Sequence, residues 1–105
     1  MDSSLTSAQI HKILQSRTFA NKRQLRRLLE VLSSNLHSQE LLTADLVIQE
    51  LWPDEIRTKR STDVATEMNR LRHALKNYYE GEGAGDAILI TLLVCRIAQV
   101  HRKNT

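Results

Sequence analysis

One segment of this sequence constrains the fold more than any other, because its apolar residues recur at steps of four, three, four and three positions. That spacing is the period of an α-helix with one buried face. Ser61 is a suitable N-cap, so a long helix is predicted from Ser61 to Tyr79. The apolar stripe comprises Val64, Met68, Leu71, Leu75 and Tyr78. The opposite face carries polar and basic residues: Thr62, Thr66, Asn69, Arg70, His73 and Lys76.

Two shorter helices are predicted near the start of the chain. The first is preceded by two candidate N-caps, Thr6 and Ser7. Its apolar residues fall on one face: Ile10, Ile13 and Leu14. The second follows a candidate cap at Asn21 and has a stripe of four leucines with bases on the other side. The leucines are Leu25, Leu28, Leu29 and Leu32, and the bases are Arg23, Arg26 and Arg27.

A third short helix and a β-hairpin complete the predicted elements. Thr43 can cap the third helix, and Pro53 ends it because the residue before a proline avoids helical angles. Residues 80–86 contain all three glycines of the chain and predict a flexible turn. Residues 88–94 are rich in β-formers and predict a strand, and a second strand around 96–100 would complete a hairpin.

The composition indicates one globular domain with a mild positive charge. The chain has 105 residues, a formal net charge of +3 and an isoelectric point near 9.4. Bases cluster in residues 17–27 and 57–76, a pattern that suits phosphate binding and that an ordinary solvated surface also produces. The single cysteine, Cys95, cannot form an internal disulfide, so a cytoplasmic setting is expected. No apolar run is long enough to span a membrane.

The order of these elements, with the residues at their joints, resembles the winged helix-turn-helix domain of bacterial response regulators and related transcriptional activators. Leu-Thr-Ala-Asp-Leu at 42–46, running into Leu-Trp-Pro-Asp at 51–54, is similar to the first helix of that motif. Asn-Arg-Leu-Arg-His-Ala-Leu at 69–75 is similar to its recognition helix, and Ile-Thr-Leu at 90–92 to the start of its wing hairpin. The pair Tyr78-Tyr79, followed by an acidic glycine-rich turn, resembles a subgroup of these domains.

The resemblance implies a mainly α fold with a small β-hairpin, in which a three-helix core carries an extra N-terminal helix. The domain would cover residues 7–100, between a flexible N-terminus at 1–6 and a basic tail at 101–105. Two features depart from the family. The first segment indicates a helix where the family has a small sheet, and the wing lacks the glycine that a tight hairpin turn favours. The wing can therefore be altered, extended as one strand, or paired with another chain.

The resemblance also implies a function, namely sequence-specific binding of double-stranded DNA by the long helix in the major groove. The residues expected to contact bases are Thr66, Glu67, Asn69, Arg70 and His73. Those expected to contact the DNA backbone are Arg57, Lys59, Arg60, Ser61, Thr62, Arg72 and Lys76. Glu67 can accept from cytosine, orient Arg70, or weaken binding. The bases of the second helix, Arg23, Arg26 and Arg27, can supply a second backbone contact.

A different class of function is left open, in which the same fold is a protein-interaction or dimerisation module with little DNA binding. In that case the apolar strand at 88–94 would add to a partner's sheet. RNA polymerase, a sensor protein and a second copy of the chain are further candidate partners. No catalytic, metal-binding or cofactor-binding motif is present, so neither an enzyme nor a cofactor is expected.

Overall fold

The computed structural model describes residues 3–35, 42–93 and 96–101. Four helices and two strands lie in this part of the chain, and the predicted mainly helical fold class is confirmed. In chain order they are α1 (Ser3–Leu14), α2 (Arg23–Ser34), α3 (Ala44–Leu51), α4 (Ser61–Glu80), β1 (Ile88–Leu93) and β2 (Arg96–His101).

The two strands pair antiparallel, with Ile88 opposite His101 and Leu93 opposite Arg96. β1 packs against α1 and α4, while β2 approaches α2. The residues between the strands, including Cys95, fall outside the described part of the chain, as does the basic tail after His101. The prediction about the hairpin turn therefore remains a prediction.

The core forms where the apolar stripes of the helices meet. All five stripe residues of α4 are buried, as their spacing predicts, and they pack on three of the four predicted leucines of α2 and on Ile10 and Ile13 of α1. Phe19 lies in the turn between α1 and α2 and is completely buried. No periodic pattern marks Phe19, because it lies outside any helix or strand. Its burial fixes the path of the chain between the first two helices.

Helix α1 begins earlier than the sequence indicates. The sequence predicts a flexible segment at residues 1–6 and a cap at Thr6 or Ser7, yet the helix already includes Ser3, and Thr6 is only 5% exposed. Thr6, Ile10 and Ile13 share one helical face. The helix begins early because its buried face continues to Thr6, which packs against the rest of the domain although it is polar.

The caps of the other helices follow the sequence in part. Thr43 caps α3 as predicted, and its hydroxyl accepts a hydrogen bond from the Leu46 N–H. Helix α2 has Lys22 rather than Asn21 at its N-cap position. Helix α4 has Arg60 at that position, one residue before the predicted Ser61. The Arg60 N–H donates to the Asp63 carboxylate at 2.9 Å, which satisfies a backbone group in place of a serine cap.

The glycine-rich turn after α4 is held to the domain rather than free, contrary to the flexible turn that its composition predicts. The Gly83 N–H donates to the Tyr78 carbonyl at 2.7 Å. The Glu82 carboxylate accepts from the backbone N–H groups of Arg17 and Thr18 and from the Thr18 hydroxyl. The Thr18 hydroxyl and these N–H groups lower the pKa of Glu82 below its usual value. The turn thereby ties the end of α4 to the segment between α1 and α2.

Asp86 closes the same turn and is the centre of a buried polar cluster. Its carboxylate accepts hydrogen bonds from Tyr78 Oη at 2.5 Å, Lys12 Nζ at 2.6 Å and Gln9 Nε2 at 2.8 Å. Burial opposes the charged form of Asp86, but these three donors together outweigh it and hold the pKa of Asp86 at about 2. Burial, with the Asp86 carboxylate beside it, raises the pKa of Tyr78. The cluster joins α1, α4 and the entry to β1.

Tyr79, the second residue of the tyrosine pair, forms hydrogen bonds with backbone groups on one edge of β1. Its hydroxyl donates to the Ile88 carbonyl and accepts from the Ile90 N–H, both at 2.9 Å. The Tyr79 hydroxyl therefore occupies backbone groups that a further strand would otherwise use. At Ile88 and Ile90 this edge is not available to a partner's sheet.

Candidate nucleic-acid interface

Helix α4 separates a buried face from a continuous exposed face. Its apolar stripe faces the core, and this orientation places the polar positions of the helix outward. Four of the five predicted base-contacting residues are exposed. The exposed face continues to Arg72 and Lys76, two of the predicted backbone contacts. The exposed residues are Thr62, Thr66, Asn69, Arg70, Arg72, His73 and Lys76.

Glu67 differs from the other predicted base-contacting residues because it is buried. Its side chain is 9% exposed and its Oε1 accepts a hydrogen bond from Arg70 Nη1 at 2.6 Å. The Arg70 side chain itself is 65% exposed. Glu67 thus lies beneath the exposed face and holds one nitrogen of the Arg70 guanidinium, which leaves the other donors of Arg70 directed away from this contact. Three roles are open for Glu67 from the sequence, and this contact fits the one in which Glu67 orients Arg70.

Asn69 and Arg72 are also linked along the helix. The Asn69 Oδ1 accepts a hydrogen bond from Arg72 Nη1 at 2.8 Å, which engages one of the two lone pairs of the amide oxygen. Thr66 donates its hydroxyl proton to the Thr62 carbonyl at 3.0 Å. The second lone pair of the Asn69 oxygen can still accept from an adenine amino group while Arg72 stays bonded.

The segment before α4 carries the remaining predicted backbone contacts. Lys59 Nζ lies 4.9 Å from the ring centre of Trp52 and 3.6 Å from Glu55 Oε2, so this lysine is held over the end of α3. Arg57, Arg60 and Ser61 are exposed beside it. The bases of this segment therefore lie at the N-terminal end of α4, on the approach to its exposed face.

A groove of about 570 Å³ runs between the start of α2 and the middle of α4. Its basic side chains are Lys22, the N-cap residue of α2, Arg23 in the first turn of α2, and Arg70 of α4. His73 of α4 also lines it. Of the three α2 bases considered as a second backbone contact, only Arg23 lines this groove. Arg27 is paired with Glu50 at 3.1 Å, and Arg26 is half-buried. Lys22 was missed, because its place in the groove depends on how α2 meets α4.

The described part of the chain contains no group of three or more His, Cys, Asp or Glu side chains placed to hold a metal ion. Within the same residues, no helix has the length and apolar character needed to cross a membrane. Comparison of the chain with protein-family models, curated proteins and solved structures gives no match. A function is therefore inferred from the geometry of α4 and its surroundings.

Proposed function

We propose that the protein is a transcriptional regulator that binds double-stranded DNA sequence-specifically, with α4 in the major groove. One observation carries this proposal. A 20-residue helix buries its apolar stripe and leaves a continuous face of Thr, Asn, Arg, His and Lys side chains exposed. An α-helix fits the width of the major groove, and these side chain types can pair with base edges or with thymine methyl groups.

Arg70 is the side chain best prepared to recognise a base. Guanine offers two acceptors on its major-groove edge, and an arginine pairs with both through its planar fork. The bond to buried Glu67 restricts the guanidinium before DNA arrives, so less conformational freedom is lost on binding. Asn69, His73 and Thr66 flank Arg70 on the exposed face and extend the base-contacting surface by about one helical turn on each side.

The backbone contacts proposed at the N-terminal end of α4 position the helix without selecting a sequence. Lys59, Arg60 and Arg57 supply positive charge there, and the hydroxyls of Ser61 and Thr62 can donate to phosphate oxygens. Arg72 and Lys76 extend this charge along the helix. Glu67 is left out of the base-contacting set because its side chain is buried.

Binding to a random-sequence duplex and to a duplex selected from a random library tests the proposal. We expect the affinity for both to fall steeply as salt rises, because phosphate neutralisation releases counterions. We expect Arg70→Ala to cost about 1–3 kcal/mol on the selected duplex and to relax specificity at one base pair. Arg17→Ala is the control, since Arg17 is exposed in the turn before α2 and lies outside the proposed interface.

Two outcomes would contradict the proposal. Weak binding to every duplex at moderate salt would favour the protein-interaction alternative. Equal effects of Arg70→Ala and Arg17→Ala would show that only the total charge matters, and would remove Arg70 from a base-contacting role.

A further inference from the structure

We infer that the groove between α2 and α4 binds a backbone phosphate of the DNA beside the major groove that α4 enters. This inference rests on the proposed function, and it assigns a specific contact to Lys22, which belongs to a basic cluster but is singled out by no sequence motif. The groove is lined by Lys22 and Arg23 on one side and by Arg70 and His73 on the other. Two separate elements thus direct cationic side chains at one concave surface.

The charge of the groove is not compensated from within. Three cationic side chains line it against one carboxylate, Glu67, and that carboxylate is engaged by Arg70 at 2.6 Å. Neither Lys22 nor Arg23 forms an ion pair with any described residue. Both side chains are exposed and free to close on an anion that enters the groove.

The position of Lys22 and Arg23 on their helix is unfavourable in the protein alone. They lie at the N-terminal end of α2, where the helix dipole disfavours positive charge, and the first turn contains no acidic residue. A local arrangement that costs stability without compensation from described neighbours is typical of functional sites. A bound phosphate would make this region favourable, because its negative charge would attract both the positive end of the helix dipole and the two cations.

The chemistry of the lining favours a phosphodiester over an exposed base. No Phe, Tyr or Trp is among the residues that line the groove, so it offers no aromatic ring of this kind for base stacking. Arg70 and His73 belong both to the groove and to the exposed face of α4. When a helix enters the major groove, the phosphates that border the groove lie on either side of that helix. In this protein the start of α2 lies beside α4, so it would face these phosphates.

The test compares two double variants on the selected duplex and on the random-sequence duplex. Lys22→Gln/Arg23→Gln removes two positive charges from the groove. Arg17→Gln/Arg27→Gln removes the same charge from exposed positions that do not line it. We expect the groove variant to bind both duplexes about tenfold more weakly, to reduce the slope of affinity against salt by roughly 1 to 2, and to keep the preference for the selected duplex.

Two further measurements complete the test. Urea unfolding should show the groove variant at least as stable as the wild type, because charges that oppose the helix dipole are gone. A scan of the selected duplex with single neutral methylphosphonate linkages should find a linkage whose neutralisation weakens the wild type but not the groove variant. Equal losses for the two double variants, or the absence of such a linkage, would overturn the inference while leaving DNA binding by α4 intact. Failure of the wild type to bind either duplex would instead contradict the proposed function.

Discussion

Gly83 shows how closely the turn after α4 packs onto that helix. A Cβ atom at this position would lie 2.2 Å from Tyr78 Cε2 and 2.6 Å from Tyr78 Cδ2, well inside van der Waals contact. The ring cannot easily move aside, because it is buried and its hydroxyl donates to Asp86. Glycine is needed here for the close approach of the turn to an aromatic ring.

Replacement of Gly83 by alanine is therefore expected to destabilise the domain by about 1–3 kcal/mol, the usual cost of overpacking a core. Urea unfolding measures this difference. Gly85→Ala is the matched control, since no described atom lies within 4 Å of a Cβ at Gly85. Equal stability of the two variants would mean that the turn can shift away from Tyr78, and the close packing would then have no role in stability.

At the scale of single elements, α4 combines a structural face with a surface face, and Glu67 lies at the boundary between them. The carboxylate is buried yet bonded to an exposed arginine. This bond directs Arg70, but its negative charge also opposes the approach of phosphates. The two effects act on different properties, because orientation affects the choice of sequence while charge affects binding to any duplex.

Glu67→Gln separates these effects. Glutamine keeps the size of the side chain and an acceptor oxygen, but it replaces the ion pair with Arg70 by a weaker hydrogen bond to a neutral group. We expect the affinity for a random-sequence duplex to rise severalfold while the ratio of selected to random affinity falls. Glu80→Gln is the control, because Glu80 is exposed at the end of the same helix. A variant that retains the full selected-to-random ratio would show that Glu67 does not orient Arg70 for recognition.

At the scale of the whole molecule, the cluster around Asp86 connects the N-terminal helix to the C-terminal half of the domain. Lys12 and Gln9 reach it from α1 and Tyr78 from α4, while Asp86 itself leads into β1. Because its folded-state pKa of about 2 lies below its unfolded value near 4, Asp86 contributes stability that is fully present above about pH 4. This contribution, on the order of 2 kcal/mol, is lost as the pH falls from about 4 to about 2.

Asp86→Asn should therefore reduce the free energy of unfolding at neutral pH by about 2 kcal/mol and flatten its decline between about pH 4 and pH 2. Urea unfolding at several pH values measures both effects. Asp54→Asn is the control, because Asp54 is exposed in the segment between α3 and α4. A decline with pH as steep in Asp86→Asn as in the wild type would show that other carboxyl groups control acid unfolding.

The sequence by itself determined the elements whose information is local. The stripe of α4, the leucines of α2, the Thr43 cap and the end of α3 before Pro53 were all predicted, because periodicity, capping and proline geometry act within a few residues. The exposed face of α4 followed from the same periodicity, since burial of one side places the other outward. Four of its five predicted base-contacting residues are indeed exposed.

Only the tertiary structure decided which distant residues meet. The burial of Phe19, the contact of Gln9 with Asp86, and the groove shared by Lys22 and Arg70 each join segments far apart in the chain. The resemblance placed Glu67 among the base-contacting residues, whereas its side chain is buried and bonded to Arg70. A charge pattern along the chain gives the number of cations, whereas their convergence on one surface depends on the angles at which the helices pack.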